Sequence, residues 1–126
     1  MREKFSWKKR AASFRFAWDG IRYLVANEHN AWIHLAIAVA VVAAGIFFRL
    51  SPSEWTSIVL CITTVLAGEG FNTAIEALAD RVSPERDEAI RVAKDVAAGA
   101  VLLLAAGAVV VGLIIFIPKI FLWLGI

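Results

Sequence analysis

The sequence predicts an all-α membrane protein, with three transmembrane helices and an N-terminal amphipathic surface helix. Three observations predict it. First, 60% of the 126 residues are hydrophobic and the mean hydropathy is +0.74. That is too apolar for a soluble domain of this length. Second, the apolar residues gather into three long runs. Third, the basic residues cluster before the first run and between the second and third. Of 13 Lys and Arg, seven (Arg2, Lys4, Lys8, Lys9, Arg10, Arg15, Arg22) precede the first run. Four more (Arg81, Arg86, Arg91, Lys94) lie between the second and third, and Arg49 stands in the short first connection. By the positive-inside rule the N-terminus and the second loop are cytoplasmic and the C-terminus is outside. The length suits one compact unit over residues 1–126 and not two domains. No cleavable signal peptide is expected, because the charged start leads into an amphipathic segment.

The surface helix is expected over about residues 4–26. It carries Phe5, Trp7, Phe14, Trp18, Ile21 and Val25 among basic residues. From Trp7 onward the steps of seven, four, three and four keep one helix face apolar. A basic helix with Trp and Phe on one side lies in the membrane interface. The first spanning helix is expected over about residues 29–49. Ala31 to Phe48 is apolar except for His34 and is about 27 Å long as a helix. Trp32 at one end and Phe47 and Phe48 at the other suit the two interfaces. His34 reads as an interfacial polar residue with a hydrogen-bond partner; a ligand or proton carrier is the second reading.

Ser51, Pro52 and Glu54 carry helix-start chemistry: an N-cap, a first-turn proline and a capping-box glutamate. The second spanning helix follows, over about residues 53–82. Its apolar part, Trp55 to Ala67, is too short to span, so the apolar side of the acidic stretch must contribute. Ser83, Pro84 and Glu85 repeat the capping chemistry, and Arg86, Asp87 and Glu88 read as a solvated connection. The third spanning helix is expected over about residues 92–124, with no charge from Val96 to Ile117. Gly99, Ala100, Gly107, Ala108 and Gly112 are small enough for close helix approach. Pro118 and Lys119 mark the far interface, with Phe121 and Trp123 as anchors. The single cysteine, Cys61, reads as packing.

Glu69, Asn72, Glu76 and Asp80 fall within a wedge of roughly 80° on the second spanning helix. Carboxylates beside a membrane are costly without partners, so this stripe is the candidate site. Glu69 and Glu76 are about 10 Å apart along the axis, too far to share one Mg²⁺. They therefore need different tasks. Glu76 needs another carboxylate to hold a metal, and Glu28, at the cytoplasmic end of the first spanning helix, is the candidate. Glu69, closer to lipid, could accept a hydroxyl proton, with Asn72 orienting that group. Lys94 and Asp95 end the second loop, where a cation could reach phosphate. Metal, base and lysine together fit phosphoryl transfer. No Walker loop and no protein-kinase glycine loop is present, which excludes those soluble folds.

The run Glu69-Gly-Phe-Asn72-Thr-Ala-Ile-Glu76-Ala-Leu-Ala-Asp80-Arg81, with the later Ala93-Lys94-Asp95-Val-Ala-Ala-Gly-Ala-Val-Leu, closely resembles the prokaryotic diacylglycerol kinase family, which includes undecaprenol kinases. The resemblance extends over nearly the whole chain, including Gly20-Ile-Arg22 and Asn27-Glu28. Asn27-Glu28-His-Asn30 with Ile33-His34, and the Val-Ala-Ala-Gly after Asp95, look more like the undecaprenol kinase branch. The resemblance implies ATP as phosphate donor, Mg²⁺, a lipid alcohol substrate, and a homotrimer in the bacterial cytoplasmic (inner) membrane with sites shared between neighbours. No nucleic-acid partner is expected. It implies Glu69 as catalytic base with Asn72 in support, Glu28 and Glu76 as metal ligands, and Asp80 as a supporting residue. Nucleotide contacts are implied at Lys9, Phe16, Glu28, Glu76, Glu85, Lys94 and Asp95, and lipid contacts at Trp18, Arg22, Glu69 and Ala98. Arg86 and Asp87 depart from the Tyr and His that one branch carries there.

Two other classes compete. An ion-coupled transporter could use the stripe, but its charges crowd one interface and the third helix has none to complete a path. A non-catalytic scaffold would need none of these polar residues. For the kinase, the lipid should enter sideways between helices, with Ala97, Gly99 and Ala100 leaving room beside Glu69. Few polar groups lie at that depth to hold ester carbonyls, chiefly Asn72, Thr73 and Thr64. This favours undecaprenol over diacylglycerol, as does the branch resemblance.

Overall fold

The computed structural model describes residues 2–85 and 87–126. Arg86, expected in the solvated connection, lies outside the described residues. Four helices follow in order: α1 (Trp7–Asn27), α2 (His29–Phe47), α3 (Pro52–Val82) and α4 (Glu88–Leu124). The last three are long and apolar enough to cross a membrane. The protein is an all-α membrane protein with α1 as its N-terminal surface helix.

Local chemistry sets each helix end. α1 begins at Trp7, three residues later than its composition suggests, because the Ser6 hydroxyl accepts from the Lys9 amide at 3.4 Å. None of its residues is buried, and Trp7, Phe14, Trp18 and Ile21 are all exposed. That apolar stripe is left largely uncovered by the described residues, as expected of a helix resting on lipid. Glu28 closes α1 and opens α2 in extended conformation, and the Trp32 indole donates back to the Val25 carbonyl across the corner. α2 stops at Phe47, short of the expected boundary near residue 49, and Arg49 takes a left-handed φ of 55° in the turn. Ser51, Pro52 and Glu54 form a complete capping box for α3. α4 begins earlier than expected. Asp87 caps it by accepting from the Ile90 amide at 3.2 Å, so Glu88 belongs to the helix and not to the connection. Ser83 instead bonds the Glu85 carbonyl at 3.0 Å and closes a short turn.

α3 is the central helix, packed along α4 on one side and against α2 on the other. Its buried residues are Ile58, Val65, Glu69, Asn72 and Ala79. Their steps of seven, four, three and seven define a single face, apolar at Ile58 and Val65, polar at Glu69 and Asn72, and closed by Ala79. The apolar core sits in the half remote from the acidic stripe, where Leu50, Ile58 and Ile115 are buried among Trp55, Ile62, Val111 and Phe116. Phe47, Phe48, Phe116 and Trp123 form an edge-to-face aromatic cluster there. Lys119 pairs with Glu54 at 3.1 Å at the same end, tying α4 to the start of α3.

Close helix approach uses different small residues from those expected. Gly99, Gly107 and Gly112 have no neighbour within 4 Å of where a Cβ would stand. The tight contacts are at Gly68 on α3, where a Cβ would lie 2.6 Å from Leu104, and at Gly45 on α2, where it would lie 2.7 Å from the Trp55 ring. Gly112 instead borders an open groove between α2 and α4, so no side chain presses on it. Pro118 lies inside α4 and does not end it, as is common in spanning helices.

Candidate active site

The stripe on α3 emerges gradually from the protein. Glu69 is 3% exposed and Asn72 is 8% exposed. Glu76 is half-buried, and the Asp80 side chain is 68% exposed. One helix face thus carries polar groups from packed interior to solvent within three turns. The reason is position: α2 and α4 flank α3 at Glu69, whereas Asp80 lies near the end of α3.

Among the described residues the Glu69 carboxylate has one partner. His34 Nε2 of α2 lies 2.9 Å from Glu69 Oε1. The expected partner of His34 is therefore the candidate base itself. Sequence reasoning missed this pair, although a signal was available. His34 is six residues inside the membrane from Glu28, and Glu69 is seven residues inside from Glu76. On antiparallel helices those offsets give nearly the same depth, about 9 and 10 Å. One turn along α3, Asn72 Nδ2 donates to Glu76 Oε1 at 3.3 Å. Asn72 Oδ1 is buried with no partner among the described residues, a condition that costs about 1–3 kcal/mol when nothing binds there.

His34 also heads an apolar groove of about 230 Å³ between α2 and α4, floored by α3. Ile37, Ala38, Val41, Ile62, Val65, Ala105 and Val109 line it, and Phe116 closes its far end. Cys61 belongs to this lining. Ala97, Gly99 and Ala100 do not, and Ala97 is buried. This groove therefore runs between α2 and α4, not beside the small residues at the start of α4.

A second, polar cavity of about 820 Å³ opens beyond the end of α3. It gathers four of the expected residues: Asp80, Glu85, Lys94 and Asp95. Lys94 Nζ donates to Asp80 Oδ1 at 2.8 Å and also feels the charges of Glu76 and Asp95. Arg91 bridges Glu88 and Asp95, the latter at 2.7 Å. Asp87 and Arg91 line the same cavity.

The residues on α1 stay apart from both cavities. Lys9 pairs with Glu3 at 2.7 Å, and the Arg15 guanidinium lies over the Phe16 ring at 5.7 Å. Trp18, Arg22 and Ala98 are exposed and line neither space. Among the described residues, no group of three or more His, Cys, Asp and Glu gathers around one point. The donors near Glu76 still fit Mg²⁺: a carboxylate and an unpaired amide oxygen are hard oxygen ligands. Mg²⁺ takes one or two such carboxylates and completes its shell with water and phosphate.

Residues 15–116 match the family model described as prokaryotic diacylglycerol kinase. The chain belongs to the prokaryotic diacylglycerol kinase family. Two curated relatives agree. A Bacillus subtilis protein named undecaprenol kinase is 39% identical over 107 residues, spanning 85% of this chain and 87% of its own length. A Synechocystis protein named diacylglycerol kinase is also 39% identical over 107 residues, but these are 84% of this chain and 61% of that longer protein. The resemblance seen in the sequence is thereby borne out, and the chain is a membrane lipid kinase with ATP as the phosphate donor its family implies. The transporter and scaffold readings fall away. In this family member the acidic stripe on α3 joins an apolar groove at one end to a polar cavity at the other.

Proposed function

We propose that this lipid kinase phosphorylates undecaprenol in the bacterial cytoplasmic membrane, with its N-terminus cytoplasmic. The observation that carries this reading is the buried Glu69 carboxylate, joined through His34 to the head of an apolar groove. Glu69 is the base for the lipid hydroxyl. The hydroxyl oxygen forms a bond to the γ-phosphorus as the bond from phosphorus to the bridging oxygen breaks. ADP leaves with that electron pair, and the hydroxyl proton passes to Glu69. Burial keeps Glu69 from bulk water, which limits wasteful transfer of phosphate to water.

Lys94 and Asp95 hold the nucleotide from the polar cavity, with Glu85 at its rim. Lys94 meets the phosphates, and Asp80 orients its ammonium through their 2.8 Å hydrogen bond. Glu28 and Glu76 hold Mg²⁺, which when bound neutralises phosphate charge during transfer. Lys9, Phe16, Trp18, Arg22 and Ala98 are exposed on one protomer, which leaves them free for the nucleotide and lipid contacts, and for the neighbour in a homotrimer, that the family resemblance implies.

Undecaprenol is preferred over diacylglycerol on two grounds. The residues after Glu28 and after Asp95 follow the undecaprenol kinase branch. The groove is almost wholly apolar and offers no row of donors for ester carbonyls. The two named relatives are equally similar and do not separate the substrates. The test is a competition assay, with both lipids in one micelle preparation and labelled ATP. A higher kcat/KM for undecaprenol is expected; a higher value for diacylglycerol reverses the substrate while leaving the kinase.

A further inference from the structure

We propose that His34 is the positioning residue for the base: its imidazole holds Glu69 so that one chosen carboxylate oxygen faces the lipid hydroxyl. The proposal rests on Glu69 serving as base. Three observations carry it. His34 Nε2 lies 2.9 Å from Glu69 Oε1. Glu69 is buried on a helix whose neighbouring polar pair, Asn72 and Glu76, are bonded to each other and not to Glu69. His34 is the polar residue lining the groove that ends beside Glu69.

A glutamate side chain has three rotatable bonds, and its two carboxylate oxygens are equivalent until something distinguishes them. Here Oε1 accepts from the imidazole N–H, which leaves Oε2 as the oxygen free to take a proton. The hydrogen bond also fixes the carboxylate plane. When the lipid oxygen bonds to phosphorus and ADP departs, the hydroxyl proton passes to Oε2. The His34–Oε1 bond persists throughout, so it need not be rebuilt in the transition state. Because His34 lies between groove and carboxylate, a lipid hydroxyl rising along the groove passes the imidazole before it reaches the base. Misplacement of a reacting group by about 1 Å can cost about a hundredfold in rate, and α3 itself offers Glu69 no second anchor.

The decisive variants are His34→Leu and His34→Gln, made in the full chain in detergent micelles. Glutamine can set its amide N–H near the place of histidine Nε2; leucine cannot donate. His34→Leu should lower kcat about thirtyfold to a hundredfold, with KM for ATP changing less than about twofold. His34→Gln should return kcat to within about threefold of wild type. A His34→Gln enzyme as slow as His34→Leu, or a His34→Leu enzyme with wild-type kcat, overturns the proposal. A second measurement needs no activity. The chain has two histidines, so ¹⁵N-imidazole spectra are assigned by His34→Gln alone. Glu69→Gln should shift the His34 Nε2 resonance and leave that of His29 in place. An unmoved His34 resonance overturns the contact. Failure of the base assignment looks different: Glu69→Gln would then keep wild-type turnover while the His34 resonance still moved.

Discussion

Glu69→Gln tests the base most directly, because the structure isolates basicity from packing. The Glu69 side chain is 4% exposed, and its Oε1 is held by His34. Glutamine keeps the volume and can still present an oxygen to His34 Nε2, so the packing between α2 and α3 should survive. What it loses is an oxygen able to accept a proton. General-base catalysis contributes about 10²–10⁴ in rate, or roughly 3–5 kcal/mol of barrier. Burial denies water easy access as a substitute base, which favours the upper part of that range. Glu69→Ala should lose as much activity, for the same reason. It also leaves His34 without its partner, at a cost of about 1–3 kcal/mol in stability. The assay is the initial rate of labelled phosphate transfer from ATP to lipid in micelles, paired with unfolding by added SDS. Glutamine and alanine variants should be equally slow and unequally stable. A glutamine variant within about threefold of wild-type turnover would remove Glu69 from the proton transfer.

Glu28→Gln and Glu76→Gln should each raise the Mg²⁺ concentration needed for half-maximal activity, and the double variant should be little worse than either; additive losses would separate the two carboxylates. Gly45→Ala should destabilise the protein by about 1 kcal/mol, from overpacking against Trp55 and Leu50 less the gain in helix propensity. Gly68→Ala should cost less, because its only contact under 3 Å is the free end of Leu104, which can rotate toward lipid; SDS titration of both variants gives the order, and the reverse order would refute it. Lys119→Ala should loosen the end remote from the active site, seen as faster hydrogen exchange at the start of α3, while phosphate transfer stays within about twofold of wild type.

The sequence by itself determined the membrane class, the three spanning helices and the surface helix, because long apolar runs and basic clusters suffice for these. It also determined the family, because the Glu69–Asp80 motif and Ala93-Lys94-Asp95 are local strings. Helix ends were partly legible. The capping box at Ser51 was visible, while Ser6 and Asp87 had to be seen accepting hydrogen bonds from Lys9 and Ile90. Spacing on α3 put Glu69, Asn72, Glu76 and Asp80 on one face, but a helical period fixes azimuth and not burial. Only the packing of α2 and α4 against α3 made Glu69 buried and Asp80 exposed. Tertiary structure also decided which side of α3 carries the groove and which glycines meet a neighbour. Those outcomes depend on how whole helices rotate and cross, and many small residues along α4 offered equally plausible contacts. The pairing of His34 with Glu69 belongs to the same class. Each residue announces a polar group inside the membrane, but their meeting at 2.9 Å is a property of two helices at once.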